Sequence, residues 1–261
     1  MKDHNLLEAA RRIRKELIIK DQPLTAFNFL TSLNLSELEP DRQKTLSMIR
    51  HIFDHKFYID YHTNNLPEFP EPQEICIYID TKYPRFKWMI EKFEQEKIKT
   101  VLDLGCADGA FCLTLGNKGY KATGVNLKRE SIQTAASRVR ELNVKNVNFI
   151  VDDLSNINQR ADAVVISELI EHVANPIEIV KHAVFLADKW VFLTTPNGAV
   201  QNGQGNLPDW DCKGPDDIRG HVRVYNRKLL EELLKDYEIG EIKEEDNLGA
   251  NLLYAMFRNK K

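Results

Sequence analysis

Cysteine is scarce: the 261 residues hold four, Cys76, Cys106, Cys112 and Cys212, and none form a C-x-x-C pair. That spacing argues against a structural zinc site and against a disulfide framework, so reduced thiols are expected. Long apolar runs are missing too. Nothing approaches the ~18 residues of a membrane span. The N-terminal stretch MKDHNLLEAARRIRKELIIK is charged throughout, without the apolar core of a secretory signal. A cytoplasmic protein with no membrane span is the expectation. Basic charge is not in excess, with 36 Lys and Arg against 39 Asp and Glu and a net charge of -3. The totals therefore give no electrostatic reason to expect a nucleic-acid partner. Internal repeats and low-complexity tracts are absent. What remains is an ordinary globular composition, 43% hydrophobic and 29% charged, in a chain long enough to bury a real core.

Residues 5–62 carry a helical pattern. Leu6, Leu7, Ala10, Ile13, Leu17 and Ile18 recur at helical spacing, and further runs cover Leu24–Leu33 and Asp41–Asp60. His51 and His55 stand four apart in the last run and read as packing or surface residues, with no third ligand nearby. Pro67, Pro70 and Pro72 mark an extended crossing, because proline fixes its own backbone and lacks a donor. The expected division is a helical cap or docking region over 1–75, able to mediate dimerisation, and a second domain over 76–261.

After the crossing, Ile75–Ile79 is expected as a short strand and Arg85–Glu96 as an amphipathic helix. Strands then alternate with helices: 100–104, 121–126, 147–151, 162–167 and 189–195 as strands, 110–118, 129–142, 176–186 and 226–237 as helices. Two closing strands follow, at 238–244 and 251–257. Such alternation predicts an α/β fold, a doubly wound and mostly parallel sheet of seven strands behind a helical N-terminal region. Ligands of such sheets bind at the carboxyl ends of the strands, near the switch in strand order. Chemistry is therefore expected in the loops after residues 104, 126, 151, 167 and 195.

The first of these loops reads DLGCADGAF, residues 103–111. Gly105 and Gly109 let the backbone turn sharply into a helix and approach a ligand. A dinucleotide fingerprint would need glycine where Ala107 stands and an acid where Asn126 stands. Asp103, just before the glycines, would repel a pyrophosphate and suit a ligand with an ammonium group.

VLDLGCADGAF resembles the first motif of class I S-adenosylmethionine-dependent methyltransferases, and the later loops match in order over about residues 85–257. The resemblance implies a Rossmann-like methyltransferase fold with S-adenosylmethionine as cofactor. It implies cofactor contacts at Asp103, Gly105, Cys106 and Gly109. Asp153 and Leu154, with Asp152 beside them in FIVDDLSNI, would hold the adenine. Ser167 and Glu168 in SELIEHVANP would flank the methionine part. At the end of the second strand the family carries an acid for the ribose hydroxyls; here Asn126 stands, an amide that can accept one bond and donate another but lacks the charge. Each residue also has a local reading: Asp103 as a helix cap, Asp152 and Asp153 as turn acids, Asn126 as a turn residue, and Arg85 as a solvated cation that could instead reach the cofactor carboxylate.

Methyl transfer requires an aligned acceptor and, for a hydroxyl, a base. His172, in ELIEHV, and His221, in RGHVRVYN, are the candidates, because imidazole titrates near neutrality. The loop from Pro196 to Gly220 is long enough to be read as an acceptor-binding flap. Glu168, Glu171, His172 and His221 together are similar to the E-x-x-E-H site of small-RNA 2′-O-methyltransferases, where Mg²⁺ or Mn²⁺ would acidify the hydroxyl. E-x-x-E-H also occurs in ubiquinone-pathway O-methyltransferases. TTPNG (194–198) with HVRVYNRKLLEELL (221–234) looks like small-molecule and glycan-pathway enzymes. The expected activity is O-methylation of a small molecule or sugar hydroxyl with histidine-assisted deprotonation. A metal-assisted RNA 2′-O-methyltransferase and a degenerate docking subunit are the alternatives.

Overall fold

The computed structural model describes residues 71–173, 176–197, 225–247 and 250–260. The chain divides into two compact units, and the larger comprises Pro67–Glu171, Pro176–Asp211 and Arg223–Lys261. The three helical runs expected before residue 62, and most of the expected 196–220 flap, lie outside the described residues.

Near-continuous apolar runs form the centre of a parallel sheet because both of its faces are covered by helices. β1 (Thr100–Leu104) and β4 (Ala161–Ser167) are such runs, buried over almost their whole length. β2 (Lys121–Asn126) and β3 (Val147–Val151) extend the sheet on one side, and β5 (Ala187–Pro196) on the other. β6 (Glu238–Asn247) and β7 (Ala250–Arg258) close it as an antiparallel hairpin. The order is β3-β2-β1-β4-β5-β7-β6, with every pairing parallel except those made by β7. Sequential order reverses between β1 and β4, the crevice in which such sheets bind ligands.

α1 (Pro84–Gln95) has proline in its first turn, where the missing donor is harmless. Its residues Phe86, Trp88, Met89, Ile90 and Phe93 recur at helical spacing and are buried. Trp88 and Phe93 meet Phe192 of β5 at ring-centroid distances of 5.7 and 4.8 Å. α2 (Ala110–Asn117) is buried along all but its last residue, and α3 (Arg129–Glu141) packs against β2 and β3. α4 (Pro176–Leu186) covers β4 and β5, and α5 (Arg227–Leu234) lies against β6. Asn226 caps α5, its Oδ1 accepting from Leu229 N at 2.9 Å. These elements match the sequence expectations within a few residues at their ends.

One expected element is absent: Ile75–Ile79 is not a strand. Gln73–Ile75 is a 3₁₀ turn and Ile79–Lys82 a single helical turn. The isoleucines alternate, but the residues buried are Cys76 and Ile79, three apart. The backbone bonds go to local turns and to α2 side chains instead of a ladder. Ile79 N donates to Thr114 Oγ1 at 3.0 Å, and Thr114 Oγ1 donates to Cys76 O at 3.1 Å.

Just upstream, Glu71 is tied to the β1–α2 loop. Its N–H donates to Asp108 Oδ2 at 2.7 Å, and its carbonyl accepts from Arg138 of α3. Asp108 and Arg138, both buried, are themselves an ion pair. No described helix is long and apolar enough to cross a membrane.

Candidate active site

The carboxyl ends of β1 to β5 bring most of the expected residues to one edge of the sheet. Asp103 lies in β1, in register with Gly124 of β2 and Val165 of β4, and is 4% exposed. Among the described residues its carboxylate has one side-chain partner, the Cys112 thiol, which donates weakly across 3.7 Å. Burial pushes the Asp103 carboxyl up to about 7, and the thiol opposes this only in part. Among the described residues this carboxylate has no counter-charge. An ammonium group would supply one, so the residue fits the cofactor that the sequence suggested, and it does not act as a helix cap.

The loop after β1 is pinned to β2. Gly105 N and Cys106 N both donate to Val125 O, at 2.9 and 3.0 Å, and Gly109 N donates to Cys106 O at 2.9 Å. Gly105 and Gly109 are left-handed, with φ of 82° and 79°. A Cβ at Gly109 would stand 2.5 Å from Phe149 Cζ and 2.7 Å from Ala135 Cβ. Close packing of the protein on itself thus explains this glycine as well as any approach of a ligand does. Ala107, where a dinucleotide site would have glycine, is also left-handed at φ 48°.

Asn126 closes β2. Its Nδ2 donates to Ala107 O and its Oδ1 accepts from Lys128 N, both at 3.3 Å. After β3, Asp152 Oδ1 accepts from Asp153 N and from Asn156 Nδ2, each at 2.7 Å. Asp153 Oδ1 accepts from Ser155 N and Oγ at 2.8 and 2.7 Å, and Leu154 is buried beside it. These bonds are those of turn acids, and they leave Asp153 Oδ2 directed to no partner among the described residues.

At the end of β4, Glu168 adopts φ 53°, an uncommon conformation for a side chain that is not glycine, of the kind found at functional sites. Its N–H donates to Thr194 O at 2.9 Å. Its Oε1 accepts from Thr194 Oγ1 at 2.9 Å, which leaves Ser167 Oγ to donate to that same Thr194 oxygen, also at 2.9 Å. Thr195 Oγ1 donates to Glu171 Oε2 at 3.0 Å, and Glu171 is 1% exposed. Burial raises the carboxyl of Glu168. Burial first, and then the Glu168 charge, raise that of Glu171 well above the usual range. The Arg85 guanidinium draws both back down. It lies 4.6 and 4.5 Å from the ring centroids of Tyr83 and Phe86. Arg85 is therefore a partly buried neighbour of the glutamates and not a solvated surface cation.

The sequence reading missed the role of Thr194 and Thr195. They sit in an apolar strand, and only the register of β4 with β5, which sets Ser167 beside Thr194, reveals that they face the two glutamates. The expected four-residue metal set is not assembled by the described residues, among which no group of three or more His, Cys, Asp or Glu could hold an ion. His172 belongs to the smaller unit, and His221 lies outside the described residues.

Residues 84–238 match the family model described as a methyltransferase domain. The ubiquinone biosynthesis O-methyltransferase of Serratia proteamaculans is 33% identical over 104 residues, covering 38% of this chain and 43% of that one. The enzyme of the same name from Hydrogenovibrio crunogenus is 31% identical over 115 residues, covering 41% and 47%. The matched stretch thus spans less than half the length of these curated relatives. Among solved structures, magnesium protoporphyrin IX methyltransferase from Synechocystis, with S-adenosylhomocysteine bound, superposes with a TM-score of 0.59. That match has 13% identity and covers 79% of this chain and all of that one. The chain belongs to the methyltransferase-domain family, within the class I, S-adenosylmethionine-dependent methyltransferases.

Proposed function

We propose that the chain transfers the methyl group of S-adenosylmethionine to a hydroxyl oxygen of a small-molecule or sugar acceptor. The observation that carries the reading is Asp103, a buried carboxylate with no cation beside it among the described residues, at the switch point of the sheet. S-adenosylmethionine, when bound, supplies a methyl group already activated on a sulfonium centre. The chain's residues position and deprotonate. Asp103 takes the ammonium group, and Arg85 takes the carboxylate of the same ligand. Gly105, Cys106, Gly109, Ser167 and Glu168 enclose its methionine part, and Asn126, Asp153 and Leu154 its adenosine part. His172 and His221 are the proposed bases. An imidazole near its unperturbed pKa can take a hydroxyl proton at neutral pH, a contribution of roughly 10²–10⁴ in rate. The names of the curated relatives support oxygen as the acceptor atom.

The test is calorimetric titration of the full chain with S-adenosylmethionine and S-adenosylhomocysteine, beside Asp103→Ala. Micromolar binding lost in the variant is expected; no binding by the parent overturns the reading and favours a docking subunit on a degenerate fold. Acceptor screens then separate phenolic and sugar hydroxyls from short RNA. His172→Ala and His221→Ala should lower kcat and leave cofactor affinity unchanged. Activity that rises with Mn²⁺ or Mg²⁺ and vanishes with chelator would instead assign Glu168, Glu171, His172 and His221 to a metal.

A further inference from the structure

Asn126 departs from the acid that the family resemblance leads one to expect, and its bonds explain the departure. A carbonyl oxygen can only accept and an N–H can only donate. The amide nitrogen must therefore face Ala107 O and the amide oxygen must face Lys128 N, so the orientation of the side chain is settled by its partners. The first half of the β1–α2 loop is already held by Val125 O, which accepts from Gly105 N and Cys106 N. The second half contains Ala107, whose left-handed backbone an alanine does not favour. The carbonyl of that residue is the one Asn126 holds. The backbone of Asn126 is in turn fixed by Asp152 N, which donates to its carbonyl at 3.3 Å.

We infer that Asn126 is a latch for the cofactor loop, a positioning residue that keeps Ala107 in its left-handed turn, and only secondarily a ribose ligand. A carboxylate at this position would present acceptors alone to the Ala107 carbonyl. The loop would be pushed away where the amide now draws it in. An asparagine has two amide hydrogens and two oxygen lone pairs. The latch uses one of each and leaves one of each for a ribose hydroxyl. The charge of the family's acid is thus exchanged for a preformed loop.

The inference rests on the reading that this loop encloses S-adenosylmethionine, and its test has one arm that needs no ligand. Asn126→Asp and Asn126→Ala are compared with the parent by hydrogen exchange of the Leu104–Phe111 peptide in the ligand-free protein. Both variants should exchange several-fold faster there, while β5 and β7 keep their protection and so report an intact fold. Calorimetry with S-adenosylhomocysteine should show Asn126→Asp binding about five- to tenfold weaker than the parent, the effect of one lost hydrogen bond. Unchanged loop exchange in both variants, or tighter binding by Asn126→Asp, overturns the latch, because either means the residue meets only the ribose. If the parent binds no cofactor, the proposed function fails, and the exchange arm still decides the latch.

Discussion

In its proposed role, Asp103 sets function against stability. Its carboxyl stands near 7 in the folded chain against 3.8 for the free side chain, so the folded state binds the proton more tightly. Stability contributed by this group is full below about pH 4 and falls as pH rises to 7, by on the order of 4 kcal/mol at the upper end. Glu168 and Glu171, whose carboxyls are also raised, act in the same direction. Asp103→Asn removes the penalty. The ligand-free variant should melt several degrees higher than the parent at pH 8 and much closer to it at pH 5; equal shifts at both would refute the assignment. Binding should respond in the opposite sense. If an ammonium ligand needs the ionised carboxylate, affinity for S-adenosylmethionine falls about tenfold per unit below pH 7. Asp103→Asn should bind weakly and lose that dependence, which calorimetry between pH 5.5 and 8 would read directly.

The secondary-structure elements divide into those the residue pattern announces and those that only the fold creates. β1 to β5 were legible because buried parallel strands are apolar throughout, and α1 because its aromatic residues recur at helical spacing. The end of the sheet that gathers the motif residues was legible for the same reason, since those residues follow the strands in order. Ile75–Ile79 is not a strand although its isoleucines alternate, because local turns and the Thr114 and Asn117 side chains of α2 take its backbone bonds. The pairing of Asp108 with Arg138 could not be read at all, because thirty positions separate them and only the packing of α3 on the loop joins them. That pair should matter. Arg138→Met leaves a buried Asp108 charge without its partner, and a loss of about 3–5 kcal/mol in denaturant titration is expected. Asp108→Asn with Arg138→Met together should cost less than the two single changes summed. Gly109→Ala tests the loop from its other side. The new methyl group meets Phe149 and Ala135 at distances no real Cβ tolerates, in a backbone that disfavours it. A loss of about 2–4 kcal/mol is expected, from overpacking and from the left-handed φ together. A melting point within a degree of the parent would show that the loop can shift without cost.

For the whole molecule, the question is where the catalytic unit begins. Its family match starts at residue 84, and the sequence suggested a boundary between 75 and 76, just after the prolines. Glu71 argues for keeping more of the chain. Its N–H and carbonyl are bonded by Asp108 and Arg138, and its side chain meets Lys82 at 2.8 Å and Tyr83 Oη at 2.7 Å. This single residue connects the loop after β1, α3 and the approach to α1. A chain beginning at residue 67 retains every one of these bonds. A chain beginning at residue 76 keeps the buried Cys76 and leaves the buried Asp108–Arg138 pair without two backbone partners, a loss of about 2–4 kcal/mol. Denaturant midpoints of the two truncations, set beside the full chain, separate the possibilities. If the chain from 67 matches the full chain within about 0.5 kcal/mol while the chain from 76 loses stability, the catalytic unit includes the crossing segment. Equal midpoints for the two truncations would return the boundary to residue 76 and make Glu71 a surface attachment. Size-exclusion chromatography of the same proteins reads the expected docking role of the N-terminal region, since a change of oligomeric state on removing residues 1–66 would place that role outside the methyltransferase unit.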